Sequence, residues 1–413
     1  MIFEGRSLEA GRRSLGDRLS RRLWSLQSEA LCEEARRRTG LRDFGDPPVE
    51  PALSILVKSL ELEADLHPLG RFLIWAHLRE LLQTRLRLTQ EWIRRSEALE
   101  VSQIQRPVFI TGMPRSGSTF LHELLAEDEE NRVPRVWEVM FPIPDHNSTR
   151  SEVESRVRKA EACLWWFRRL APRANSVYPM RAWTPHECVA IHSYTLLSEE
   201  FAMICRVPAY EAFLREANFG PTYAWQKRFL QYLQLSCPTR QWILKSPDHV
   251  HTLEHLLTVF PDAVVIQTHR NPAEVLRSSM QLTEVLEGTF SRAEDPAQTR
   301  RREARSLAEH MEGITSFREA HPKLDGRFID IKYHELVADP LTVVREIYQR
   351  LDKRLTKMAA AGMQSLASKR SRYKGCHGSR TLENLGMDGP CLTRRFEGYC
   401  SRFGIPCQHR EWR

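Results

Sequence analysis

A glycine-rich turn between a predicted strand and a predicted helix is the segment of this chain best suited to hold an anion. It has the sequence GMPRSGST over residues 112–119, after the apolar run 107–111 and before the helical pattern 119–126. Glycines let the chain turn closely around an oxyanion, and the N–H groups and dipole of the following helix supply donors and positive charge. The hydroxyls of Ser116, Ser118 and Thr119 add further donors. We therefore predict an oxyanion site at this turn.

The turn differs from the phosphate loop of nucleotide triphosphatases. That loop is G-x-x-x-x-G-K-[ST], and its lysine reaches the β- and γ-phosphates. Here Ser118 stands at the lysine position, while Arg115 supplies a cation earlier in the turn. No apolar strand ends in an aspartate suited to Mg²⁺. The sequence therefore favours an oxyanion site without a metal, and a P-loop small-molecule kinase is the alternative.

A second candidate anion site follows another predicted strand. Arg270 leaves the strand, Pro272 begins a helix, and Ser278 lies about two turns along that helix. A helix N-terminus beside a cation favours an anion, although a plain strand-to-helix connection has the same pattern. Two such turns at the ends of successive parallel strands predict one ligand with two separated phosphate-like groups.

Both turns resemble the cofactor motifs of sulfotransferases that use 3′-phosphoadenosine 5′-phosphosulfate (PAPS). The matching segments are PRSGSTFLHELL at 114–125 and THRNPAEVLRSS at 268–279. Three more segments resemble the bacterial-type branch of that superfamily: VPRVWEVMFPIP, WILKSPDHVHTLEHLLTVFPDA and SRTLENLGM. The resemblance covers roughly residues 45 to 405. It implies in-line transfer of the sulfuryl group of PAPS to a hydroxyl or amine, with PAPS as co-substrate and no metal.

The resemblance also implies roles for individual residues. The glycine-rich turn would bind the 5′-phosphosulfate through Gly112, Pro114, Arg115, Ser116, Gly117, Ser118 and Thr119. Arg270 and Ser278 would bind the 3′-phosphate. The R-K-G-x-x-G motif of the cytosolic enzymes is matched only in part here, by Lys374 and Gly375 within YKGCHG. Those enzymes also have a lysine at the position of Arg115. A catalytically inactive protein that binds 3′-phosphoadenosine 5′-phosphate (PAP) is a further alternative.

Transfer to a hydroxyl requires a base for its proton and cations for the leaving phosphate. Arg115 is placed for the second role. Lys245, at the end of strand WILK, could assist near the sulfate or form an ordinary salt bridge. Two segments offer a base. In WTPHEC the candidate is Glu187, with His186 assisting, and this segment resembles the family segment that presents an acidic residue. In KSPDH the candidate is His249, which loosely resembles the K-T-H histidine of the cytosolic enzymes. We favour Glu187.

The elements that position these residues alternate between strand and helix. Apolar runs at 107–111, 242–245, 263–268 and 327–333 predict strands, and helical patterns follow them. This order predicts an α/β fold with a three-layer, P-loop-type parallel sheet flanked by helices. We predict that residues 1–105 form a helical N-terminal extension and that 106–413 form the sulfotransferase α/β domain. Within that domain, about 145–240 would form a helical insertion on the acceptor side. The polar stretch 287–302 predicts a mobile loop.

Composition limits the partners. The 413 residues carry 61 basic and 53 acidic side chains, a net charge of +8, without an arginine-rich tract that would indicate nucleic acid. There is no apolar run long enough for a transmembrane helix and no apolar core of a secretory signal. Nine cysteines lack C-x-x-C spacing, so we predict free thiols in a soluble cytoplasmic protein and no metal site. The aromatic insertion predicts a small-molecule or lipid acceptor: a phenol, sterol, lipid or sugar hydroxyl all fit.

Overall fold

The computed structural model describes residues 15–144, 151–237, 240–292, 296–371 and 389–406. Its sheet has five parallel strands in the order β2-β3-β1-β4-β5. The strands are β1 (Val108–Gly112), β2 (Asn131–Arg132), β3 (Gln241–Lys245), β4 (Val264–His269) and β5 (Phe328–Lys332). Four of these strands coincide with the predicted ones, and the predicted α/β class is confirmed. Because all strands run the same way, the two candidate anion turns, after β1 and β4, meet at one edge of the sheet.

Twenty α-helices surround the sheet in the described ranges. Five precede β1: α1 (Leu15–Leu23), α2 (Ser28–Thr39), α3 (Glu50–Leu62), α4 (Pro68–Arg94) and α5 (Ser96–Val101). Eight lie between β1 and β3: α6 (Ser118–Leu125), α7 (Val136–Met140), α8 (Glu152–Leu170), α9 (Pro172–Val177), α10 (Cys188–His192), α11 (Glu200–Ile204), α12 (Pro208–Glu216) and α13 (Gly220–Gln234). Seven follow β3: α14 (Leu253–Val259), α15 (Pro272–Phe290), α16 (Pro296–Ala320), α17 (Tyr333–Ala338), α18 (Pro340–Arg350), α19 (Lys357–Ser371) and α20 (Gly389–Phe403).

The two faces of the sheet belong to different cores. On one face Val108, Ile110 and Ile266 pack against α6, α18 and α19. On the other, Phe109 and Val265 join a large core shared by the N-terminal helices and by the helices between β2 and β3. The alternation follows from the two-residue period of a strand. The N-terminal helices therefore pack in the same core as the insertion, and the division at residue 105 stays a prediction.

The prediction of a mobile loop over residues 287–302 was wrong for 287–290 and 296–302, which are helical, while 293–295 lie outside the described residues. The helix α15, expected to end near Leu282, continues to Phe290, and α16 begins at Pro296. Glu287 is buried and pairs with Arg302 across the two helices at 2.5 Å. The polar residues of this stretch therefore neutralise one another between helices. Within the described ranges, no helix combines the length and apolar character needed to span a membrane.

A buried arginine holds the N-terminal helices to the insertion. Arg85 of α4 is fully buried, and its guanidinium donates hydrogen bonds to the carbonyl oxygens of Phe44 (2.7 Å) and Tyr194 (2.6 Å) and to those of Gly45 and Pro47. The guanidinium also lies over the ring of Trp225, 4.2 Å from its centroid. Burial lowers the pKa of Arg85 to about 9, so the group is still charged at neutral pH. One side chain thus satisfies carbonyl groups from two separate segments.

We expect Arg85→Met to lower the free energy of unfolding by roughly 3 kcal/mol or more, because buried carbonyl groups would lose a charged donor. Arg87→Met, at an exposed position of the same helix, should change it by less than about 0.5 kcal/mol. Denaturant unfolding of both variants measures the difference. Equal values for the two variants would contradict the proposed role of Arg85.

Candidate active site

The glycine-rich turn adopts a backbone that its glycines make possible. Gly112 has φ +130° and Gly117 has φ +94°, both in the region that favours glycine. A Cβ at Gly112 would lie 2.3 Å from the carbonyl oxygen of Thr268, and a Cβ at Gly117 would lie 2.9 Å from Cδ2 of Tyr333. Since α6 begins at Ser118, the N–H groups of its first turn face the space enclosed by the turn. The turn has the geometry of an oxyanion cradle.

Ser116 stabilises this turn instead of facing its opening. The residue is fully buried, its hydroxyl lies 2.6 Å from that of Thr268, and it also donates to the carbonyl of Met113. Its backbone N–H donates to the same carbonyl at 3.2 Å. This differs from the expectation that the Ser116 hydroxyl is a donor to the anion, because both of its donors are used within the turn. Thr119 is exposed at the start of α6, as a ligand-facing residue requires.

The structure brings the two candidate anion turns into contact. Nε of Arg115 donates to the hydroxyl of Ser278 at 2.8 Å, and the guanidinium of Arg270 donates to the carbonyl oxygen of Arg115 at 2.8 Å. Arg270 also pairs with Glu274 and lies over the ring of Tyr333 at 4.0 Å. Arg115 therefore joins the turn after β1 to the helix after β4. Lys374 and Gly375 lie outside the described residues.

A buried ion pair lies at the same edge of the sheet. Lys245 ends β3, and its ammonium group pairs with Glu187 and donates to the hydroxyl of Thr119 at 3.0 Å. Tyr178 donates to Oε1 of Glu187 at 2.8 Å, and Oε2 is buried without a hydrogen-bond partner in the described part of the chain. Lys245 thus forms a salt bridge and also contacts the glycine-rich turn, and its assistance near a sulfate stays a prediction.

Glu187 reaches this position through pairing of two distant segments. The N–H groups of Val136 and Trp137 donate to the carbonyls of Thr184 and Ala182, both at 3.0 Å, and the N–H of His186 donates to Pro134 at 2.8 Å. Burial acts to raise the pKa of Glu187, but Lys245 and Tyr178 outweigh it, so the pKa is lowered. Burial lowers the pKa of His186 as well, against Glu200 and Glu187. The carboxylate is therefore ionised and His186 is neutral.

His249 occupies a different environment. It lies in a 3₁₀ turn, Pro247–His251, with its ring buried and Nδ1 2.7 Å from the hydroxyl of Tyr223. Phe109 packs edge-on against the ring at 5.1 Å. Burial, with His192 and Lys245, lowers its pKa far below the usual range, and Nε2 has no partner among the residues described. The imidazole is therefore neutral and held by a tyrosine, and within the described ranges it forms no hydrogen bond to Lys245 or Glu187.

Sequence reasoning missed two groups near this pair. For Tyr178, nothing in the local sequence indicates a partner nine residues away. Asp248 is half-buried, and its pKa is raised by burial and by the neighbouring Glu199 and Glu187 carboxylates. The clue in the sequence was its position, three residues after Lys245.

The aromatics of the insertion divide into core and surface. Tyr194 and Phe201 are buried, as expected of core residues. Trp165, Trp166 and Trp183 are instead 49%, 61% and 55% exposed. Helix α8, which carries the first two, packs beside the segment before Glu187, since Oε1 of Glu161 accepts from the N–H of Ala182 at 2.7 Å. An exposed aromatic surface therefore adjoins the segment that presents Glu187.

Comparison with known proteins agrees with this geometry. The profile of the sulfotransferase family matches residues 107–357, from the start of β1 to the start of α19. The chain belongs to the sulfotransferase family. The family prediction is therefore confirmed, membership implies a sulfate donor, and sulfuryl transfer is favoured over the kinase alternative.

Solved structures of the family share the whole architecture. The mycobacterial sulfotransferase STF1 of Mycobacterium tuberculosis superimposes with a TM-score of 0.78 at 28% identity, covering 90% of this chain and 98% of that one. STF9 of Mycobacterium avium gives 0.79 at 25% identity, covering 94% and 98%. The similarity thus includes the N-terminal helices as well as the sheet.

Two relatives are named as omega-hydroxy-beta-dihydromenaquinone-9 sulfotransferases Stf3, one from Mycobacterium bovis and one from Mycobacterium tuberculosis. Each is 26% identical over 272 residues, which are 59% of this chain. The chain spans 62% of the length of these curated relatives.

We expect Lys245→Met to destabilise the fold by about 3–5 kcal/mol, because it leaves the buried Glu187 carboxylate without its cation. The double variant Lys245→Met/Glu187→Gln should recover much of this loss, since neither charge is then buried. Lys323→Met, at an exposed position, is the control and should stay within about 0.5 kcal/mol. Urea unfolding measures all of these variants. If the double variant is no more stable than the single one, the loss of stability in Lys245→Met does not come from the unpaired charge of Glu187.

Proposed function

We propose that this chain transfers the sulfuryl group of PAPS to the hydroxyl of a lipid-like acceptor. The observation that carries the proposal is the meeting of four groups at one sheet edge: the glycine-rich turn, Arg115 bonded to Ser278, Arg270, and the Lys245–Glu187 pair. The turn, Arg115 with Ser278, and Arg270 would supply two adjacent anion sites. The Lys245–Glu187 pair would supply a cation and a base beside the glycine-rich turn.

The donor fits the two adjacent turns. Its 5′-phosphosulfate is anionic, and the turn that leads into α6 ends at a helix N-terminus, whose N–H groups and dipole favour an anion. Its 3′-phosphate would lie against Arg270 and Ser278, which the bonds to Arg115 hold next to that cradle. A guanidinium can bond two phosphate oxygens in its plane, so Arg270 suits this role better than lysine would.

In the proposed reaction the acceptor oxygen forms a bond to sulfur while the bond from sulfur to the 5′-phosphate oxygen breaks. PAP leaves with that electron pair, and Lys245 and Arg115 stabilise the charge on its oxygen. The acceptor proton passes to the Glu187 carboxylate. Because Lys245 contacts both Glu187 and Thr119, an anion in the turn competes with Glu187 for it. That competition raises the proton affinity of the carboxylate when the donor is bound.

The acceptor class follows from the exposed aromatics. Trp165, Trp166 and Trp183 provide an apolar surface next to the segment that ends in Glu187. Exposed tryptophans of this kind suit an apolar body with one polar end. The relatives are named for a hydroxylated menaquinone, which has that character. We therefore propose a long apolar alcohol as acceptor, ahead of a sugar.

A transfer assay tests the function and its base together. With labelled PAPS and a panel of hydroxylated isoprenoid lipids, the native chain should produce a sulfated lipid. Glu187→Gln should reduce turnover by about 10²–10⁴-fold, because a positioned base is lost. His249→Ala should reduce it less, since His249 does not contact the Lys245–Glu187 pair.

PAP affinity is the control for folding in these variants, and it should stay within about twofold for both. Near-native turnover of Glu187→Gln, with His249→Ala inactive and still binding PAP, would reverse the assignment of the base. Binding of PAP by the native chain without transfer to any alcohol would favour a PAP-binding protein that is not an enzyme.

Paired nucleotides test the second anion site. Arg270→Ala should weaken PAP binding about 10- to 150-fold, the equivalent of about 1.5–3 kcal/mol for a charged hydrogen bond. It should barely change the binding of adenosine 5′-phosphosulfate, which lacks the 3′-phosphate. Arg345→Ala, exposed on α18, is the control, and calorimetric titration gives the affinities. Equal losses for the two nucleotides would make Arg270 a support of the Arg115 carbonyl and not a phosphate ligand.

A further inference from the structure

Two histidines and a glutamate meet away from the anion turns. Glu199 precedes α11, His251 ends the 3₁₀ turn that carries His249, and His310 lies in the middle of α16. One ligand atom from each, two ring nitrogens and a carboxylate oxygen, lies within 4.8 Å of the other two. The three residues come from segments up to 111 positions apart in the sequence, so the fold and not a local motif brings them together.

The two imidazoles lie in direct contact. Their ring centroids are 3.9 Å apart with the planes at 63°. Nδ1 of His310 lies 2.8 Å from the carbonyl oxygen of Ser306, to which it can only donate. That bond fixes the tautomer and leaves the lone pair of Nε2 for a ligand, as in histidine sites whose second nitrogen is held by a carbonyl.

The carboxylates around the three residues differ in their partners. Arg215 contacts both Glu211 and Glu309 at 3.7 Å, and Glu309 also pairs with Arg305 at 2.7 Å. Glu199 forms no ion pair within the described ranges. Its carboxylate is therefore the negative group that a bound cation would neutralise.

We propose that Glu199, His251 and His310 bind a divalent transition-metal ion of the zinc type. Two imidazoles and one carboxylate are a zinc donor set found with water as fourth ligand. Tetrahedral bonds of about 2.0–2.1 Å place ligand atoms about 3.3 Å apart. Small side-chain rotations close the present separation, and exposed His251 is free to make them. The ion would tie the 3₁₀ turn Pro247–His251 to α16 and thereby restrain His249.

Cobalt titration of the metal-free full chain tests the site. After dialysis against a chelator, Co²⁺ should produce the visible absorption of a tetrahedral site, saturating at one ion per chain, and Zn²⁺ should displace it. His251→Ala and Glu199→Gln should each weaken Zn²⁺ binding at least tenfold against a chromophoric chelator. His251 is exposed, so its replacement should not unfold the chain, whereas buried His310 is less suited to the test. His334→Ala, exposed on α17, is the control and should bind as the native chain does.

The C-terminal part of the sequence also contains Cys376, His377, Cys391, Cys400, Cys407 and His409, whose spacing does not match a zinc finger. Cys400 is buried in the core, so the control replaces the other three cysteines with serine. This change should leave the cobalt spectrum unaltered, and the spectrum should lack the intense near-ultraviolet bands of thiolate ligation. Loss of binding in that variant, or unchanged affinity in His251→Ala, would overturn the proposal.

Hydrogen exchange supplies a readout of the restraint itself. Zn²⁺ should slow exchange of the amides at 248–251 in the native chain and leave them unaffected in His251→Ala. Slowed exchange in both proteins would mean that the metal acts elsewhere.

Discussion

The Lys245–Glu187 ion pair is the interaction on which the rest of the site depends. It joins the end of a central strand to a segment that has no strand of its own, and it does so where both charges are out of contact with water. A buried charge pair stabilises a fold only when further hydrogen bonds complete it. Tyr178 and Thr119 supply two such bonds, Oε2 of Glu187 has no partner in the described part of the chain, and Thr119 belongs to the glycine-rich turn. The same contacts therefore fix the positions of the insertion, the sheet and the glycine-rich turn relative to one another.

Local patterns were sufficient to predict four of the five strands and the positions of the two candidate anion turns, and anion binding at these turns stays a prediction. The strands are short apolar runs followed by helical spacing, and in a parallel sheet their carboxyl ends must share one edge. The placement of Glu187 could not be predicted in the same way. It depends on hydrogen bonds between residues 134–137 and 182–186, which no spacing in either segment indicates. The burial of Ser116 was hidden for a similar reason, since its partner, Thr268, comes from another strand.

The error over residues 287–302 has a related origin. Polar composition was interpreted as exposure to water, whereas Glu287 and Arg302 face each other between two helices. Arg85 is another such case. It is a charged residue in the middle of an otherwise amphipathic helix, and the carbonyl groups that it binds are 38 or more residues away in the sequence. In both cases the missing information is which polar groups of other segments a side chain meets after folding. Long-range pairing of this kind cannot be obtained from local periodicity.

Tyr333 lies where the two anion turns come closest. One edge of its ring limits the space at Gly117, and one face of the ring carries the guanidinium of Arg270. The aromatic ring thus acts as a spacer between the two candidate anion turns. A larger residue at 117 would meet this ring and the side chain of Leu336, and the φ of +94° would strain it whatever the space. A smaller residue at 333 would leave Arg270 without its support. Position 117 is therefore restricted to glycine, and positions 270 and 333 constrain each other.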